Sequence, residues 1–119
     1  MKNLTRAAIV GGGVIGGGWA ARLVLNGVDV KVFDPDPHAK IKFDAILANA
    51  EHAFSKIAGD VAPPRGALVF SESLADAVAD VQLIQESAPE RLELKVALLA
   101  DIDRHAPADA LIGSSASGL

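Results

Sequence analysis

Ala7-Ala8-Ile9-Val10-Gly11-Gly12-Gly13-Val14-Ile15-Gly16 decides the fold. Four apolar residues in a row, closed by glycine, predict a strand buried on both faces. Gly11, Gly13 and Gly16 fit the spacing G-x-G-x-x-G, and each has a physical task. Gly11 lets the chain turn sharply after the strand. Gly13 presents bare backbone, so that a pyrophosphate can come close. Gly16 lets the following helix press against the sheet. That helix offers unpaired N–H groups and the positive end of its dipole to an anion.

Outward from this stretch the chain alternates. Trp19 to Asn26 reads as a helix closed by Gly27, with Trp19 expected to pack inside. Val28 to Phe33 is a second strand, with Val28, Val30 and Val32 in alternation, and Asp34-Pro35-Asp36-Pro37 ends it. From His38 to Ala58 the period turns helical, and Phe43, Ile46, Leu47, Ala50, Phe54 and Ile57 mark one buried face. Gly59 to Gly66 is a loop, and Ala67 to Phe70 a short third strand. Ser73 to Ala79 forms a short helix capped by Ser71 or Ser73. Val81 to Gln85 is the fourth strand. A helix running from about Pro89 to His105 follows, with Leu92, Val96, Leu99 and Ile102 or Asp103 on its period. Ala110 to Gly113 is the fifth strand, with Ser114 to Leu119 as a loop at its carboxyl end. Strands alternating with amphipathic helices predict an α/β domain, a doubly wound parallel sheet covered on both faces.

Composition agrees with one small domain. Half of the 119 residues are hydrophobic and 22% are charged, with four Phe, one Trp and no Tyr. Fifteen acidic residues against eleven basic ones give a net charge of −4, and no basic cluster offers itself to phosphate backbones, so nucleic acid is a poor partner. The absence of cysteine excludes disulfides, thiolate metal sites and a cysteine nucleophile, and suits the cytoplasm. The N-terminal apolar run is interrupted by six glycines between Gly11 and Gly18, unlike a signal peptide. No uninterrupted apolar stretch reaches membrane-spanning length.

Asp34 gives the glycine stretch its chemical meaning. It closes the second strand 18 residues after Gly16, near the spacing of about 20 at which a carboxylate accepts both hydroxyls of an adenosine ribose. The same carboxylate repels a 2′-phosphate, and no Arg or Lys immediately follows it, so NAD is expected over NADP. FAD has a similar fingerprint, but its proteins often carry Glu at this strand end. His38, His52 and His105 lie in a turn, on a helix and near a helix end, and are read as solvated or packing residues.

A longer phrase is more specific. Ile84-Gln85-Glu86-Ser87-Ala88-Pro89-Glu90-Arg91, Gly13 to Arg22 and Ser114 to Leu119 together resemble the 3-hydroxyacyl-CoA dehydrogenase family over essentially the whole chain. The likeness is strongest to its branch acting on carnitine and gulonate. The resemblance implies a Rossmann domain with Gly11, Gly12, Gly13, Val14, Ile15 and Gly16 on the pyrophosphate and Asp34 on the ribose. It puts Glu90 and Lys95 beside the nicotinamide half, Ser87 and Ser115 among the cofactor-binding residues, and Ser117 at the substrate hydroxyl and the nicotinamide region. Read from the residues alone, Glu90 and Lys95 are solvated charges of a helix start. Ser115 stands where acyl-CoA enzymes have Asn, which favours the carnitine and gulonate branch. The resemblance further implies a base His held by a Glu, an Asn, a helical second domain and a homodimer, all beyond Leu119. The chain is therefore expected to be a fragment that binds NAD without turnover. A cofactor-sensing module of the same fold and a 6-phosphogluconate-like dehydrogenase are the alternatives, and residues 85–95 speak against the latter.

Overall fold

The computed structural model describes residues 4–11, 13–58, 65–87 and 92–114. Nine elements follow in order: β1 (Arg6–Val10), α1 (Gly13–Leu25), β2 (Asp29–Phe33), α2 (Ala39–Ala58), β3 (Leu68–Phe70), α3 (Leu74–Val78), β4 (Leu83–Glu86), α4 (Leu92–His105) and β5 (Leu111–Ser114). The strands form one parallel sheet in the order β3-β2-β1-β4-β5. The first two crossovers build outward from β1 on one side, and the third returns to its other side. The order therefore reverses between β1 and β4, and this doubly wound arrangement opens a crevice beyond the carboxyl ends of those two strands.

Alternation along β1 divides the core in two. Ala7 and Ile9 point into a layer filled by Ala20, Val24, Phe43 and Leu47 of α1 and α2. Ala8 and Val10 point into the other, with Ala77, Val78, Ile84 and Ile102. Ala7, Ala8, Ile9 and Val10 are all buried, as a strand covered on both faces requires, and only Arg6 at the start of β1 is exposed. The predicted face of α2 packs as expected: Phe43 and Leu47 are buried, and Ile46, Ala50 and Phe54 lie against them. The Ile57 side chain is outside the description. Phe43 meets Phe70 edge to face, with ring centres 5.5 Å apart.

The ends of α1 and α3 follow their sequence signals. Gly27 takes φ 85°, its amide donates to Val24 O at 3.1 Å, and the Val28 amide donates to Leu23 O at 3.0 Å. This pair of bonds closes a helix through a left-handed glycine. Of the two candidate caps for α3, Ser73 is the one used: its hydroxyl accepts the Asp76 amide at 3.1 Å.

Two packing expectations fail. Trp19 is 37% exposed. The inward face of α1 carries Gly16, Gly17, Ala20, Ala21 and Val24, and these small residues bring α1 too close to α2 and the sheet for an indole. Trp19 is left on the outward side with Gly18 and Arg22. Val96 is 61% exposed, because α4 packs through buried Ile102 and partly buried Leu98 and Leu99, with Ala106 just past its end. At about 100° per residue Val96 lies some 120° around the helix from Ile102. Asp103 is exposed, so Ile102 alone continues the stripe.

The chain enters β3 through a backbone contact that tolerates no side chain. The Gly66 amide donates to Val24 O at 2.8 Å, and a Cβ on Gly66 would run into the Val28 carbonyl. Gly66→Ala is expected to destabilise the domain by about 1–3 kcal/mol, since two backbone segments must part. Chemical denaturation reads this as a lower midpoint, and an unchanged midpoint would show that the contact is loose.

Candidate functional site: the crevice at the carboxyl ends of β1, β2 and β4

Val10 is the last residue of β1, and Gly11 turns the chain away from the sheet at φ 89°. A side chain strains there, so glycine is the residue that fits. The Gly11 amide donates to Phe33 O at 2.9 Å, which ties the turn to the end of β2. On the other side the Ser87 amide donates to Val10 O at 2.8 Å, extending the ladder past β4. The glycine turn is thus anchored to both neighbouring strands at the point where the strand order reverses.

Gly13 opens α1. Gly16 sits one turn further on, and a Cβ built there lies 2.9 Å from Gly11 O, 3.4 Å from Phe43 Cζ and 3.5 Å from Ile9 Cγ2. A Cβ on Gly17 would strike the Ile46 side chain, whereas one on Gly18 meets nothing. The first turns of α1 are therefore seated against β1 and α2 through glycine. This seat aims the helix N-terminus, with its unpaired N–H groups, along the crevice.

Asp34 is the first residue after β2, half-buried, on the same rim as Gly11. Its Oδ1 accepts the Asp36 amide at 2.9 Å, an Asx turn that fixes the carboxylate. Asp36 repeats the device: its Oδ1 accepts the His38 amide at 2.9 Å and its Oδ2 takes Lys42 Nζ at 3.2 Å. The His38 amide first, and Lys42 second, hold the Asp36 carboxyl below its ordinary value of 3.8. A depressed carboxylate stabilises the fold above its unfolded value, and the contribution is lost as the pH falls through the folded one. The segment 34–42 is therefore most firmly set above about pH 4.

The structure brings Gly11, Gly13, Gly16, Asp34 and Ser87 to one rim. Val14, Ile15 and Lys95 fall within α1 and α4, with side chains outside the description. Gly12, Glu90, Ser115 and Ser117 lie outside the described residues. The three histidines are exposed. A residue that sequence reading passed over is Glu86, which ends β4 rather than following it and is completely buried. It pairs in register with Val10 on one side and Ser114 on the other. In the sequence Glu86 directly follows Leu83-Ile84-Gln85, and since acidic side chains are seldom fully buried nothing local marked it.

Among the described residues, no helix is long and apolar enough to cross a membrane. Bare backbone at the switch point, a helix N-terminus and a fixed carboxylate one strand over match the needs of a dinucleotide: an anion seat for its phosphates and an acceptor for its ribose.

Comparison with known proteins gives this rim a lineage. Residues 6–119 match the family model described as the 3-hydroxyacyl-CoA dehydrogenase NAD-binding domain. The chain is 51% identical, over all 119 of its residues, to an L-carnitine dehydrogenase of Mesorhizobium japonicum, of which it spans 33%. It is 52% identical over the same length to a Rhizobium L-carnitine dehydrogenase/betainyl-CoA thioesterase, of which it spans 24%. Among solved structures, 3-hydroxybutyryl-CoA dehydrogenase of Escherichia coli superposes with a TM-score of 0.80 at 26% identity, over 99% of this chain and 26% of that one. The chain thus spans a third or less of these relatives, and it belongs to the family of 3-hydroxyacyl-CoA dehydrogenase NAD-binding domains.

Proposed function

We propose that the crevice holds NAD for oxidation of the 3-hydroxyl of L-carnitine by the whole protein. The observation that carries the cofactor geometry is the Gly16-on-Gly11 contact beside the Asp34 turn. In this reading the backbone of Gly11, Gly12, Gly13, Val14, Ile15 and Gly16 lies along the pyrophosphate. Asp34 accepts from the adenosine ribose. Ser87, Glu90, Lys95 and Ser115 border the nicotinamide half, and Ser117 donates to or accepts from the substrate hydroxyl. The choice of carnitine is supported by the names of relatives at 51% and 52% identity.

Bound NAD supplies the hydride acceptor for the carbinol carbon. The chain's own residues supply position. The seat of α1 on β1 fixes the backbone donors against the phosphates, and Asp34 fixes the distal sugar. These two anchors would fix the adenylate half of NAD, and the residues bordering the nicotinamide half would orient its ring; holding reactants in place accounts for much of the barrier lowering in such transfers. The proton of the hydroxyl goes to a base elsewhere in the whole protein. A cytoplasmic homodimer belongs to the same reading.

The test is reduction of NAD by the whole protein with L-carnitine, L-gulonate and 3-hydroxybutyryl-CoA in parallel. The expected result is a kcat/KM for L-carnitine at least about 100-fold above the others, the scale at which a site built for one substrate's polar groups rejects another. A preference for the acyl-CoA would move the protein to the other branch of its family.

A further inference from the structure

We propose that Asp36 is a second determinant of cofactor choice, pairing with the Lys42 ammonium beside the adenosine ribose so that this cation does not serve a 2′-phosphate. The inference rests on the placement of NAD described above.

Lys40 and Lys42 open α2 directly after the Asp34 turn, close enough in the chain to serve a 2′-phosphate. Cations near this strand end are what a 2′-phosphorylated cofactor needs. Both are engaged: Lys42 Nζ lies 3.2 Å from Asp36 Oδ2, and Lys40 Nζ lies 3.0 Å from Asp44 Oδ2. The two pairs differ in what fixes them. Lys40 and Asp44 are four residues apart on one exposed helical face, a common and weak arrangement. Asp36 is held from three sides. Its amide donates to Asp34 Oδ1, its Oδ1 accepts the His38 amide, and its carbonyl accepts the Ala39 amide at 3.1 Å. The acceptor for Lys42 is therefore part of the turn that positions Asp34. The lowered pKa of the Asp36 carboxyl, caused first by the His38 amide and then by Lys42, is consistent with this grip. A 2′-phosphate arriving at Asp34 meets that carboxylate, and Lys40 and Lys42 are already paired with Asp44 and Asp36.

Asp36→Asn tests this. The amide oxygen still accepts the His38 N–H, so the turn is kept while the charge and the hold on Lys42 are removed. The readout is the ratio of NADP to NAD dissociation constants for the full chain, by calorimetry at low ionic strength. The expected ratio falls roughly tenfold in Asp36→Asn, the scale of one charge near a phosphate at a solvated site. The fall shrinks when Lys42→Ala is added, and fades in high salt. A ratio unmoved by Asp36→Asn, with NAD still bound, overturns this proposal alone. A fall of equal size with and without Lys42→Ala overturns the part assigned to Lys42. Failure of the unaltered chain to bind NAD overturns the proposal together with the placement it rests on.

Discussion

Gly16→Val is expected to weaken NAD binding at least about 100-fold and to destabilise the domain by about 1–3 kcal/mol, the usual range for an overpacked core. The Cβ alone would lie 2.9 Å from the Gly11 carbonyl oxygen, and that oxygen is backbone. It cannot swing aside like the tip of a side chain, because the Gly11 amide is bound to Phe33 O and its φ is 89°. The two further methyl carbons of valine would crowd toward Phe43 Cζ and Ile9 Cγ2, at 3.4 and 3.5 Å from the Cβ. Relief requires α1 to lift from β1 or the glycine turn to move, and either displaces the backbone donors from the phosphates. Gly18→Ala is the matched control. Nothing lies within 4 Å of its Cβ, and exchanging a helical glycine for alanine stabilises by about 0.5–1 kcal/mol. Thermal denaturation and calorimetric titration of both variants check the pair. Gly16→Val binding NAD as tightly as the unaltered chain would show that the seat does not set the site.

Asp34→Ala carries the second large effect. Hydrogen bonds to a charged acceptor contribute about 1.5–3 kcal/mol each, so losing the ribose contact should weaken NAD binding by about 100-fold or more. The Asp36 amide also loses its acceptor, and the turn that carries Asp36 and Lys42 loosens. Asp34→Asn separates the two roles. Its amide oxygen still closes the turn, while the charge that repels a 2′-phosphate is gone. The expected order of NAD affinity is Asp34, then Asn, then Ala, with NADP discriminated least against in the Asn variant. Equal NAD affinity across all three would remove Asp34 from the site.

The alternation of strands and helices was legible because each element carried its own signal. Four apolar residues before a glycine marked β1, and the three-and-four spacing of Phe43, Leu47 and Ala50 marked α2. Gly27 marked a helix end because it supplies a left-handed backbone, and Ser71 or Ser73 marked another as a hydroxyl acceptor, of which the structure uses Ser73. What could not be read was the facing of residues whose surroundings come from elsewhere in the chain. Trp19 turns outward because glycines and alanines draw α1 close to α2, a fact of two helices rather than one. Val96 matched the same spacing as Leu99 and Ile102, yet it lies some 120° around α4 from Ile102 and is exposed.

The site was legible in the same uneven way. Gly11, Gly16 and Asp34 stand out because spacing alone implies a turn, a close approach and an acid at a strand end. Glu86 did not, because its position depends on pairing with Val10 and Ser114, residues far away in sequence. The Asp36–Lys42 pair was equally hidden: a cation six residues along the chain is placed only by the turn between them.

Whether a dinucleotide lies across the carboxyl ends of β1 and β2 is tested most directly by amide chemical-shift mapping of the chain during titration with NAD. The predicted result is saturable perturbation of the Gly11, Gly16, Asp34 and Ser87 amides, with Thr5, Asp29 and Gln82 at the opposite end of the sheet unmoved. Perturbation centred on Thr5, Asp29 and Gln82, or a folded chain whose spectrum NAD leaves unchanged, would contradict it.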